Sequence, residues 1–188
     1  VQLRRRLLTP RTVWALLAAL LVTGCTAQPV TGPSRAAAFN ATDTAWIQLM
    51  IPMNERARLL TGLAPSRTAD PALADLAART GTRLREEEGR LRALLDLAGV
   101  PDSRPHEGHD MPGMVSLGTL AEAKEATGGA FERILVDSLR AHFEQAGTLC
   151  ANEQVSGSAK EAKDLADALG RTAAEELGRL GSTHRPEP

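Results

Sequence analysis

Two histidines and two methionines fall within nine residues, His106-Glu107-Gly108-His109-Asp110-Met111-Pro112-Gly113-Met114. Imidazole and thioether are donors that suit copper, and a flexible segment can gather them around one ion. The same cluster also reads as an ordinary solvated loop. A second set is dispersed along the chain: Met53, Glu87, His142 and Glu176. Helical spacing places Met53 and His142 at equivalent inward positions, with Glu87 and Glu176 beside the apolar seams of their own helices. One thioether, one imidazole and two carboxylates are thus expected to converge in one interior. Carboxylates there must find partners, take up protons or bind a cation. Sulfur with imidazole favours copper, whereas carboxylate with imidazole suits zinc or iron. The opposing expectation pairs Glu87 and Glu176 with Arg83, Arg90, Arg171 or Arg179, and makes His142 a hydrogen-bonded core histidine.

Other chemistry finds no residues to carry it. The chain has no Gly-x-Ser-x-Gly and no phosphate-binding glycine loop, and Cys150 has no motif around it. Cys150 reads as a small buried hydrophobe. The Glu-x-x-His pairs of di-iron bundles are missing. A non-enzymatic protein is expected.

Helices must position these groups. Residues 55–91 laid over residues 144–180, an offset of 89 with no gap, give twelve identities in 37 positions. They include Gly81/Gly170, Glu87/Glu176 and Leu91/Leu180. Helical periodicity that recurs once describes a duplicated helical hairpin whose halves bury each other's apolar faces. Tyr is absent and alternating apolar runs are missing, so no strands are expected.

The first long helix starts at Asn40, with Asp43 forming a capping box, and carries the seam Trp46, Met50, Met53, Ala57, Leu60. Pro52 should kink or loosen it. Asp70-Pro71 opens the second, which buries Leu73, Ala77, Leu84, Leu91 and Leu94. The third carries Leu135, Leu139, His142, Ala146 and Leu149. Ser158 and Glu161 cap the fourth, which ends at Gly181. The run Glu86-Glu87-Glu88 among arginines reads as mostly a solvated face. Between the hairpins lies a linker, residues 99–129, with a short helix expected over 117–126. It is long enough to cross the whole length of a bundle, as in ferritin-like proteins.

The chain begins with an address. Arg4, Arg5, Arg6 and Arg11 precede the apolar run from Val13 to Val22, which is too short to span a bilayer. Val22-Thr23-Gly24-Cys25 then resembles the lipobox of bacterial lipoproteins, which implies cleavage after residue 24 and a lipid on Cys25. Residues 25–38 read as a flexible tether, 39–98 as the first hairpin, 130–181 as the second and 182–188 as a disordered tail. Losing four of 22 basic residues and no acid leaves 18 Lys+Arg against 23 Asp+Glu, a net charge near −5. That excludes a nucleic-acid binder. Cys150 is then the single remaining thiol, so no internal disulfide is available.

Specific residues carry a family resemblance. Phe39-Asn40 and Met50-Ile51-Pro52-Met53-Asn54-Glu55 resemble the first hairpin of the family called domain of unknown function 305, whose pattern is Met-Ile-Pro-His-His-Glu. Met111-Pro112-Gly113-Met114 is similar to its Met-Pro-Gly-Met-Met stretch. Ala141-His142-Phe143-Glu144 is similar to its second copy, Ala-His-His-Glu. The resemblance implies a ferritin-like four-helix bundle, secreted or membrane-tethered, in a family with members linked to copper or other metals. Of the four histidines in that family's two His-His pairs, only His142 is kept. Met53, Asn54 and Phe143 occupy the other three places.

The expectation is therefore an all-α, ferritin-like lipoprotein, extracytoplasmic and anchored to the bacterial membrane through Cys25. It would bind or buffer a transition metal, copper foremost, through His106, His109, Met111 and Met114, with Met53, His142, Glu87 and Glu176 as interior candidates. The alternative is a metal-free structural or interaction module that has lost the family's histidine site.

Overall fold

A computed structural model describes residues 38–183. The signal segment, Cys25, all but the last residue of the tether and residues 184–188 lie outside the described residues. Every regular element among those described is a helix: α1 Ala41–Thr61, α2 Ala64–Arg67, α3 Pro71–Leu97, α4 Leu117–Glu125, α5 Gly128–Ser156 and α6 Lys160–Thr183.

Local signals set the starts of α1 and α3. Asn40 accepts the Asp43 N–H at 2.9 Å while the Asp43 carboxylate takes the Asn40 N–H at 2.5 Å, a complete capping box. Asp70 accepts from Ala72 and Leu73 N–H at 2.8 and 3.3 Å, with Pro71 in the first helical position. Pro52 lies inside α1 without ending it. The lost backbone bond is offset by packing, since Ile51, Pro52 and Met53 are all buried.

The start of α6 departs from expectation. Ser158 does not cap its own helix; its hydroxyl donates to the Ala38 carbonyl at 2.6 Å and lies 3.2 Å from Asp43 Oδ2. The Ser158 and Ala159 N–H groups instead donate to Asp43, at 3.0 and 3.1 Å. The repeat explains why. The equivalent of Asp70 is Ala159, which has no side-chain acceptor, so a carboxylate on α1 supplies it. The helix then runs to Thr183, two residues past Gly181.

Helix α1 packs on α3 and α5 on α6, forming two hairpins that meet through α1 against α5 and α3 against α6. This is the ferritin-like four-helix bundle, with the crossover and α4 laid over α1 and α5. At 27 residues α3 is roughly 40 Å long. The core is built from Ile47, Leu60, Leu84, Leu91, Phe131, Leu135, Leu139 and Leu180. Both hairpins close on a glycine. A Cβ on Gly81 would stand 2.7 Å from Thr61 Oγ1, and one on Gly170 would stand 3.5 Å from the Cys150 Cβ. Thr61 and Cys150 are themselves 89 residues apart, so the duplication kept the same helix contact, too tight for a side chain at Gly81 and at ordinary van der Waals distance at Gly170.

Candidate functional site

Inside the bundle Met53 is fully buried and His142 is 1% exposed. The His142 ring meets Phe143 edge-on, centroids 5.1 Å apart, and hydrogen-bonds the Gly113 backbone of the crossover. Its Nδ1 has no hydrogen-bond partner. Burial holds the imidazole neutral and pushes its pKa down to about 4; the Gly113 bond opposes this without reversing it.

The two interior carboxylates are satisfied by different means. Glu87 Oε2 accepts from Asn54 Nδ2 at 3.0 Å. Burial raises its pKa to about 7 against the pull of Asn54, Arg83 and Arg90, while the charge of Glu176 pushes further upward. Glu176 accepts from Thr80 Oγ1 at 3.0 Å and pairs with Arg83 at 3.3 Å and with Arg179. Glu87 and Glu176 thus feel each other's charge, yet each has its own protein partners. Among the described residues no three His, Cys, Asp or Glu side chains converge on one point. The interior donors do not fit a multi-ligand metal centre. Nearby, burial and the charges of Glu87 and Glu153 push the Cys150 thiol up to about 12, against the Trp46 side chain, leaving it an unreactive packing group.

The crossover arranges its residues differently. His106 and His109 sit on one turn with ring centroids 6.3 Å apart. Met111 is half-buried, and Met114, 7% exposed, belongs to the core. The turn is clamped to α1 at two adjacent residues. Glu55 pairs with Arg92 and Arg104, and Arg104 also reaches Glu107 at 3.2 Å. Arg56, almost fully buried, pairs with Asp110 at 3.1 Å and donates to the Val115 carbonyl at 3.4 Å. Arg104 takes φ 51°, a left-handed backbone that costs a side chain on the order of 1 kcal/mol and is sustained by these ion pairs. Gly113, at φ 72°, presses the crossover directly onto α5, where a Cβ would collide with the Ala141 carbonyl and Gln145.

Residues 41–183 match the family described as a domain of unknown function, DUF305. The chain belongs to this family. Two solved DUF305 structures share the fold. One is a presumed secreted protein from Streptomyces coelicolor, 17% identical, covering 76% of this chain and 91% of that one, TM-score 0.68. The other is a fragment from Deinococcus radiodurans, 18% identical, covering 77% and 96%, TM-score 0.70. No curated protein matches the chain.

Several polar groups of this DUF305 chain were not singled out from sequence. Glu88 is not on a solvated face: it is 4% exposed, 2.9 Å from Arg58 and 3.5 Å from Arg92. Thr80, Arg56 and Glu153 are buried as well. Spacing carried a signal for two of them. Glu88 lies four residues after Leu84 and three before Leu91, and Glu153 lies four residues after Leu149, the last residue of the third seam.

Proposed function

We propose that this DUF305 chain is a non-enzymatic, extracytoplasmic domain, tethered to the membrane through Cys25, that captures a transition metal on its crossover turn. Copper is the metal its donors suit best. One observation carries the reading, the 6.3 Å between the His106 and His109 ring centroids. With one nitrogen of each ring turned to a linearly coordinated ion, two metal–nitrogen bonds of about 2.0 Å plus half a ring at each end span roughly that distance. Imidazole and a neighbouring thioether, Met111, make a soft, nitrogen-rich donor set. The ion pairs at Glu55 and Arg56 hold the turn in place, which lowers the ordering cost of binding. The secreted description of the Streptomyces relative supports the compartment, and among the described residues no helix is long and apolar enough to cross a membrane.

A second reading rests on a separate observation. Glu87 and Glu176 each have protein partners in place of an ion, Asn54 for one and Thr80 with Arg83 and Arg179 for the other. That favours a metal-free structural or interaction module.

Competition titration of the full chain with Cu(I), Cu(II) and Zn(II), alongside His106→Ala/His109→Ala, separates the two. Stoichiometric copper binding lost in the double variant supports capture at the turn. Affinity no tighter than that of an unstructured His-containing peptide supports the metal-free module.

A further inference from the structure

Where α1 begins, the bundle buries two more carboxyls that the metal reading does not use. Asp43 on α1 and Glu153 on α5 are both 0% exposed. Asp43 accepts from the N–H groups of Asn40, Ser158 and Ala159 at 2.5, 3.0 and 3.1 Å, with Ser158 Oγ 3.2 Å away. Burial pulls its pKa upward, but hydrogen bonds from Glu153 and from these backbone groups overcome that and hold it below the usual carboxylate value.

Glu153 has the opposite surroundings. Neither of its oxygens meets a hydrogen-bond donor, and its carboxyl lies against that of Asp43. It is wedged there, because a Cβ on Gly157 would collide with it. Two ionised carboxylates in such a place repel; a single proton between them makes a short charge-assisted bond instead. Three backbone N–H groups hold Asp43, and the Ser158 hydroxyl gives its one hydrogen to the nearer Ala38 carbonyl, which leaves Asp43 one lone pair for the Glu153 proton and too few for a cation. The other titratable groups facing Glu153 are Lys163 on α6 and the Cys150 thiol one turn back on α5.

We propose that Asp43 and Glu153 share one proton, and that this proton latches the start of α1 to the α5–α6 turn until alkaline conditions remove it. The joint holds more than two side chains. Asp43 caps α6, Asn40 Nδ2 donates to the Ser156 carbonyl at 2.9 Å, and Ser158 Oγ donates to the Ala38 carbonyl at 2.6 Å. Opening it frees the cap of α6 and the residue where the tether meets the domain.

The duplication supplies an internal comparison. The residues 89 positions from Asp43 and Glu153 are Glu132 and Ala64. Glu132, near the start of α5, accepts from Thr68 Oγ1 at 2.6 Å beside the turn that precedes α3. Ala64 is fully buried and offers no carboxyl. One joint holds a titrating pair and its twin does not.

Burial first, then the hydrogen bond and charge of Asp43, push the Glu153 pKa up to about 8, with Lys163 opposing. A raised carboxyl pKa contributes stability that is complete below the ordinary value and is lost as pH climbs through the folded one.

The test is amide hydrogen exchange of the full chain by NMR, expressed as protection factors, between about pH 6 and pH 9. Protection at Ser158 and Ala159 is expected to fall about tenfold or more across a step near pH 8, while Ala72 and Leu73, capped by Asp70, stay level. In Glu153→Gln, whose amide donates to Asp43 at every pH, the step should vanish with protection kept. Level protection at Ser158 and Ala159 in the wild type, an equal loss at Ala72 and Leu73, or a step that survives Glu153→Gln overturns the latch. A carboxyl-carbon titration of the wild type decides the matter without any variant. Glu153 should stay unshifted through the ordinary carboxylate range, and titration near 4.5 refutes the shared proton.

Discussion

Asn54 and Glu87 are joined by a hydrogen bond of 3.0 Å inside the bundle, and the residues 89 positions on, Phe143 and Glu176, do not repeat it. Phe143 has nothing to donate, so Glu176 turns to Thr80 on α3 and to two arginines. One inherited carboxylate therefore carries two different environments. Glu87 is left partly desolvated with one neutral donor, and Glu176 is neutralised by guanidinium groups.

That asymmetry sets the pH response of the interior. The Glu87 pKa is raised by burial to about 7, so its contribution to stability is full below about 4.5 and fades as pH rises through 7. Glu87→Gln should remove this part of the slope, raising stability at pH 8 relative to pH 5 by up to about 3 kcal/mol. Glu153 titrates in an overlapping range, so the slope should become shallower without disappearing. Urea unfolding at the two pH values measures it; an unchanged slope would mean that Glu87 is ionised throughout.

His142 responds in the opposite direction. Its pKa is depressed to about 4 by burial, so the stability it contributes is present above about 6.5 and lost as pH falls through 4. His142→Leu gives up the Gly113 bond but also removes a buried nitrogen without a partner. The two losses should nearly cancel at pH 7, leaving the variant within about 1 kcal/mol of wild type. At pH 4.5 it should be the more stable by about 2 kcal/mol. Chemical denaturation at both pH values checks this, and a large loss at neutral pH would show that the imidazole is required for more than packing.

Two crossover glycines make a matched pair. Gly113 and Gly108 both take positive φ, 72° and 85°, but a Cβ at Gly113 meets α5 while one at Gly108 meets nothing within 4 Å. Gly108→Ala should cost about 1 kcal/mol, the backbone penalty alone. Gly113→Ala adds overpacking and should cost roughly 2–4 kcal/mol. Thermal unfolding ranks them. Equal losses would mean that the crossover can lift off α5 freely.

The resemblance at Met50 to Glu55 and at Ala141 to Glu144 pointed to the fold, and the matching family and the bundle agree with it. Starts such as Asn40 with Asp43, and Asp70 with Pro71, were legible because a cap involves residues two or three apart. The apolar seams were legible for the same reason. The arginine partners of the acidic residues were only partly so. Arg83 and Arg179 for Glu176 were among the expected candidates, but Arg90 and Arg171 lie on the same helices at similar spacing.

The sequence alone determined four things here: the helices, the duplication, the inward faces and the family. All of them are local patterns or repeats, written in spacing. The tertiary structure alone decided which polar group answers which. Asp43 reaches the amides of Ser158 and Ala159 across 115 and 116 residues, Thr80 reaches Glu176 across 96, and Arg56 reaches Asp110 across 54. Such pairings depend on the height and rotation of one helix against another. A shift of one residue turns a helical side chain by about 100° and gives it a different partner, and no local pattern encodes that choice.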